Sequence, residues 1–131
     1  MHKPRTNTTI EEINKSLIEL MAQWRITAKD DEIIFTKIVG LQLKKIRLMR
    51  GYTQTRVAKA INVTFQQIQK YERGTNECKA INLKKLSEYF DVSFDYFIKP
   101  ILDANLTFIT KRRDGNNVYP FRQDYVAVQE N

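Results

Sequence analysis

Residues 64–72 read Thr-Phe-Gln-Gln-Ile-Gln-Lys-Tyr-Glu. At helical spacing Ile68 and Tyr71 fall on one side, while Phe65, Gln66, Gln69 and Lys70 fall on the other. Gln66 and Lys70 are i, i+4 neighbours, so an amide and an ammonium sit side by side. On a helix that protrudes, such a face can read base edges. Gln grips adenine N6 and N7 with both ends of its amide, Lys donates to guanine O6 and N7, and a ring such as Phe65 touches a thymine methyl. The same residues also make ordinary solvated helix surface, because glutamine is a good helix former and lysine a common exposed charge. The choice between these readings rests on what holds the helix out.

Catalytic chemistry finds few parts. The single histidine, His2, lies at the start of the chain, where Ser-His or Cys-His catalysis and His-containing zinc sites have nothing to pair with it. Asp30-Asp31-Glu32 and Asp91 with Asp95 are the carboxylate groupings that a metal-dependent nuclease would need, and both sit where helix caps account for them. No catalytic residue, metal ligand or cofactor is expected. The lone Cys78 closes no internal disulfide, which fits a reducing cytoplasm, and no stretch nears the roughly 18 apolar residues of a membrane span.

The elements that must position the Gln-Lys face come from caps and breakers. Thr53 caps a helix to Ala60 or Ile61 with Val57, Ala58 and Ile61 inward, and Thr64 caps the next, which ends at Arg73-Gly74. The linker needs one residue tolerant of positive φ, and Asn62 supplies it, with Val63 plugging the turn. Upstream, Ile10, Ile13, Leu17, Leu20 and Trp24 form a helical stripe opened by a Thr9 to Glu12 capping box, either a packing face or a dimer seam. Asp30 or Asp31 caps a second helix, with Ile34, Ile38, Val39, Leu43 and Ile46 inward, that stops at Gly51. Downstream, Ala80 or Asn82 opens a helix with Leu83, Leu86, Tyr89 and Phe90 at helical spacing, Ser93 opens a short one holding Phe94 and Phe97, and Pro100 closes the domain. Leu106 to Thr110, Val118 to Phe121 and Tyr125 to Val128 are β-prone, with turn chemistry at residues 113–117.

Charge marks the same centre. The 131 residues carry a net +7, and residues 36–100 hold thirteen basic against five acidic side chains, while the flanks are close to neutral. A helical extension over 1–35, a basic domain over 36–99 and an extension over 100–131, as a hairpin or a contact for a partner, follow from this. A basic centre favours a polyanion.

The run LKKIRLMRGYTQTRVAKAINVTFQQIQKYERGTNE, followed by LKKLSEYFDVSFDYF, closely resembles the Cro and lambda-type repressor family of helix-turn-helix proteins, also called Xre-like regulators, over about residues 38–99. The resemblance rests on Gln54 after a Thr cap, Val57-Ala58, the turn before Val63, Ile68, Tyr71-Glu72-Arg73-Gly74 and DVSFDYF at 91–97. It implies an all-α, five-helix lambda-repressor-like bundle, here with an N-terminal helical extension and a short β-prone tail. In that family the third helix enters the major groove while the second crosses the backbone.

By position, the resemblance puts Thr64, Phe65, Gln66 and Lys70 toward bases, with Gln69 marginal. Thr53 and Gln54 would hold one phosphate, Arg73, Thr75, Asn76 and Lys79 another, and Arg47 with Glu72 would form a structural ion pair. Two departures stand out: Asn62 where glycine is usual, and Phe65 where a polar residue is more common. The implied function is a cytoplasmic, non-enzymatic, sequence-specific regulator of transcription, a repressor binding double-stranded DNA at an inverted repeat as a homodimer. An antitoxin that masks a protein partner with its extensions and represses its own promoter is the alternative.

Overall fold

The computed structural model describes residues 5–26 and 31–109, with side chains over 9–26 and 31–104. Helices α1 (Arg5–Ile26), α2 (Glu32–Met49), α3 (Gln54–Ile61), α4 (Phe65–Arg73), α5 (Ala80–Phe90) and α6 (Lys99–Ile109) follow in order, with a 3-10 helix, Phe94–Ile98, before the last. All regular structure among the described residues is helical.

Helix α2 organises the molecule because it is apolar on two faces. Val39, Leu43 and Ile46 join Val57, Ala58, Ile61, Ile68, Tyr71, Leu86, Phe90 and Phe97 in one core. Ile34 and Ile38 turn the other way, into a second core with Ile13, Leu17 and Trp24 of α1 and Ile101 and Ala104 of α6. Helices as short as α3 and α4, at 8 and 9 residues, are marginal in isolation, so burial in the shared core carries them. Each fully buried Ile, Leu or Phe supplies about 1.5–3 kcal/mol.

Several caps lie where the sequence puts them. Asp31 Oδ1 accepts from the Ile33 and Ile34 N–H groups at 3.0 and 3.1 Å, and Ser93 Oγ accepts from Asp95 N–H at 3.0 Å. Gly51 takes φ +73° just after the Arg50 cap of α2. Gln42, buried on α2, donates to the Tyr96 carbonyl at 2.7 Å, and Tyr96 returns its hydroxyl to the Gln42 carbonyl at 3.0 Å, tying the 3-10 helix to α2.

Elsewhere the structure corrects the sequence. Helix α1 starts at Arg5, so Thr9 and Glu12 lie inside it rather than at its cap. Its stripe packs on α2 and α6 of the same chain, which removes the buried Ile13, Leu17 and Trp24 from use as a dimer seam. Helix α5 begins at Ala80, and Asn82 points inward and donates to the Tyr71 hydroxyl at 2.9 Å. Of the two phenylalanines in the 3-10 helix, Phe97 is buried and Phe94 exposed.

Pro100 does not close the helical part. It is the second residue of α6, in the first turn, where its missing N–H would be unpaired in any case. The β-prone stretch from Leu106 is helical through Ile109, while the other β-prone runs lie outside the described residues. The expected boundary at residue 36 falls inside α2.

Candidate nucleic-acid interface

Helices α3 and α4 are joined by Asn62-Val63-Thr64. Thr53 Oγ1 accepts from Arg56 N–H at 3.1 Å and starts α3. Asn62 ends it in the left-handed region, at φ 61° and ψ 49°. Because asparagine tolerates this region better than other side-chain-bearing residues, the usual glycine is dispensable here. Val63 N–H then donates to the Ala58 carbonyl at 3.0 Å, its side chain packs on the main core, and Thr64 Oγ1 caps α4 by accepting from Gln67 N–H at 3.0 Å.

Three residues anchor α4 from beneath. Ile68 is fully buried, Tyr71 receives the Asn82 amide, and Glu72 faces Arg47 of α2. The Arg47 fork is double: Nε lies 2.6 Å from Glu72 Oε2 and Nη2 lies 2.9 Å from Oε1, while Nη1 donates to the Tyr52 carbonyl at 2.9 Å. With side chains only 9% and 3% exposed, the pair is buried and fully hydrogen-bonded. Burial also raises the Tyr71 hydroxyl above its ordinary range, against the lowering effect of the Asn82 hydrogen bond, so it remains a neutral O–H.

Opposite these anchors, Phe65, Gln66, Gln69, Lys70 and Arg73 share an arc of about 140° at the helical 100° per residue. Phe65, Gln66, Lys70 and Arg73 are exposed, and Gln69 is half-buried in the middle. Gly74 closes α4 at φ 73°, and Thr75 donates through both N–H and Oγ1 to the Lys70 carbonyl. Asn76 and Lys79 are exposed in the loop that follows, and Thr53 and Thr64 are exposed at their caps.

Gln54 stands half-buried at the first position of α3. Its Nε2 donates to Glu72 Oε1 at 2.9 Å, so part of its donor capacity is turned into the ion pair. Two contributions escaped sequence reasoning. Gly40 lets α2 and α4 touch, since a Cβ there would lie inside van der Waals contact with the Tyr71 carbonyl oxygen and 3.0 Å from that of Glu72. Arg56 is fixed over the Tyr52 ring at 3.8 Å, and its Nε donates to the Tyr89 hydroxyl at 3.0 Å. A lone glycine inside a helix and a cation in a first turn were the signals available for them.

Cys78 beside this loop is half-buried, and burial pushes its thiol up to about 12. It should therefore resist iodoacetamide at pH 8 in the folded protein and react on unfolding; rapid alkylation of the native chain, read by mass spectrometry, would contradict that burial.

A short capped helix, a tight left-handed turn and a second helix with a polar outer face define a helix-turn-helix unit. Residues 43–97 match the family model described as helix-turn-helix, which supports the Xre-like resemblance over that segment. It is 38% identical over 92 residues to the uncharacterized HTH-type transcriptional regulator y4wC of Sinorhizobium fredii, covering 70% of this chain and 64% of that protein. It is also 38% identical over 61 residues to an uncharacterized HTH-type transcriptional regulator of Sinorhizobium medicae, covering 47% and 44%. A prophage-derived regulator of Bacillus subtilis, YonR, is 42% identical over 60 residues, covering 46% and 56%. The chain spans about half the length of the curated relatives it matches. Among the described residues, no helix is long and apolar enough to cross a membrane.

Proposed function

We propose that this chain is a sequence-specific, double-stranded DNA-binding regulator of transcription that works in the cytoplasm without catalysis. The observation that carries it is the outer face of α4: Phe65, Gln66 and Lys70 are exposed while Ile68, Tyr71 and Glu72 hold the helix from behind. With α4 lying in the major groove, Gln66 and Lys70 meet base edges, Phe65 meets a thymine methyl or a sugar, and Thr64 and Gln69 flank them. Thr53 and the first N–H groups of α3 hold one phosphate, joined by the second amide hydrogen of Gln54. Arg73, Thr75, Asn76 and Lys79 hold another. We read α2 to the 3-10 helix as a five-helix, lambda-repressor-like unit, a reading supported by the number and order of these helices, while α1 and α6 pack on the far side of α2.

One such unit offers few base contacts, so the regulator acts as a homodimer on an inverted repeat, with half-sites about one helical turn, ~34 Å, apart. Occupying a promoter in this way makes it a repressor. Gln66→Ala should cost about 1–3 kcal/mol of DNA affinity and relax one base position, whereas Gln54→Ala should weaken binding to every sequence alike. Fluorescence anisotropy on cognate and scrambled duplexes separates the two. Equal losses from both variants on both duplexes would refute the assignment of α4 to base reading. Wild-type affinity should also fall steeply with salt, and a flat response would refute phosphate contact by the basic centre.

A further inference from the structure

Packing of α1 on α2 leaves a groove that ends at the last turn of α4, with a cavity of about 350 Å³, within the size range of small-molecule sites. Ser16, Glu19 and Leu20 line it from α1, at i, i+3 and i+4, Lys37 and Leu41 line it from α2, at i and i+4, and Arg73 closes it from α4. The α1 and α2 residues among these lie outside the matched segment 43–97, so the groove belongs to what this chain adds to its helix-turn-helix.

Leu20 and Leu41 pack on the second core and give the groove an apolar floor. Glu72 also borders it, but its carboxylate is committed to Arg47 and Gln54. Three charged side chains remain, Glu19, Lys37 and Arg73, all exposed. Among the described residues no ion pair joins Glu19 to either cation, so the protein does not neutralise the groove from within. The lysine is held in place: a Cβ on Gly74 would lie 2.8 Å from Lys37 Cα and 2.9 Å from its Cγ. Its stem therefore packs against the cap that follows Arg73, and both cations reach the groove beside the end of α4.

One ligand chemistry uses all of these groups. A carboxylate answers Lys37 and Arg73, an ammonium answers Glu19, and an aliphatic chain covers Leu20 and Leu41. A plain anion would be repelled by Glu19, and a plain cation by Lys37 and Arg73. We propose that the groove binds a small aliphatic zwitterion, with the chemistry of a free branched-chain amino acid, and that its carboxylate competes with DNA for Arg73. The competition rests on the DNA-binding reading above, which gives Arg73 a phosphate, whereas the binding does not. Because two anions draw on one guanidinium, ligand and DNA weaken each other by the same factor.

The test titrates the full chain, without DNA, with L-leucine, N-acetyl-L-leucine and L-leucinamide, read by amide NMR shifts. L-Leucine should saturate with a dissociation constant of about 1 mM or tighter, shifting amides of α1 and the end of α4. Each blocked analogue lacks one charge and should bind about fivefold more weakly, the scale of an exposed ion pair. Glu19→Gln should weaken leucine to the level of N-acetyl-leucine and leave N-acetyl-leucine unchanged. Lys37→Met, which keeps the stem against Gly74, should weaken leucine and N-acetyl-leucine but not leucinamide. No saturation by about 10 mM leucine, equal binding of leucine and N-acetyl-leucine, or wild-type leucine affinity in Glu19→Gln would each overturn the site. Saturating leucine should also lower affinity for a bound duplex about fivefold, in the usual range of coupling between sites. Leucine binding with unchanged duplex affinity would overturn the competition for Arg73. Leucine binding by a chain that holds no duplex would instead overturn the DNA-binding reading and uphold the groove.

Discussion

Glu72→Ala should destabilise the fold by about 3–5 kcal/mol, measured by urea or thermal unfolding, because it strands a buried guanidinium. Arg47 Nε and Nη2 both point at the Glu72 carboxylate, and with a side chain 9% exposed Arg47 has no route to water that replaces it. That loss is a large share of the 5–15 kcal/mol typical of a whole domain. The double variant Arg47→Met with Glu72→Leu should recover most of it, since apolar isosteres of a buried pair are often neutral or better. Recovered stability should not restore DNA affinity in full, because Gln54 Nε2 also ends on Glu72 and would lose the partner that orients it. A Glu72→Ala protein as stable as wild type would mean that α4 is held by its apolar side alone.

Gly40→Val should cost about 3 kcal/mol or more, at the upper end of overpacking penalties. The added carbons meet the carbonyls of Tyr71 and Glu72, which belong to the backbone of α4 and cannot rotate aside as a side chain would. A valine gains some helix propensity over glycine, by a few tenths of a kcal/mol, too little to offset the clash. Relief requires α4 to move away from α2, so the variant should lose DNA affinity even at temperatures where it is folded. Circular dichroism melting together with anisotropy at 10 °C checks both halves. Unchanged melting would show that the two helices have slack between them.

These two positions show what the sequence does and does not carry. Local chemistry was legible: the Thr53 and Thr64 caps, the left-handed Asn62 and the inward set of α3 and α4 all follow from short-range patterns, and the structure has each of them. Arg47 and Glu72, 25 residues apart, were paired only through family resemblance, because nothing local marks two distant charges as partners. Gly40 left no distinctive mark, since closeness between helices is a property of their crossing rather than of either strip of sequence. Pro100 and the run from Leu106 were misread for the same reason. Their local preferences are for a stop and a strand, but Ile101 and Ala104 find a partner in α1, and tertiary burial outweighs propensity. Gln54 was assigned to phosphate from its place at the start of α3, and its half-turned amide came into view only with the Glu72 carboxylate beside it.

Selection of bound sites from a random duplex pool, run in parallel with wild-type protein and Gln66→Ala, tests most directly whether the exposed face of α4 reads bases. Wild type should enrich a short inverted repeat, and Gln66→Ala should enrich the same repeat with preference lost at one symmetric pair of positions. Enrichment of nothing, or of identical sequences by both proteins, would contradict it.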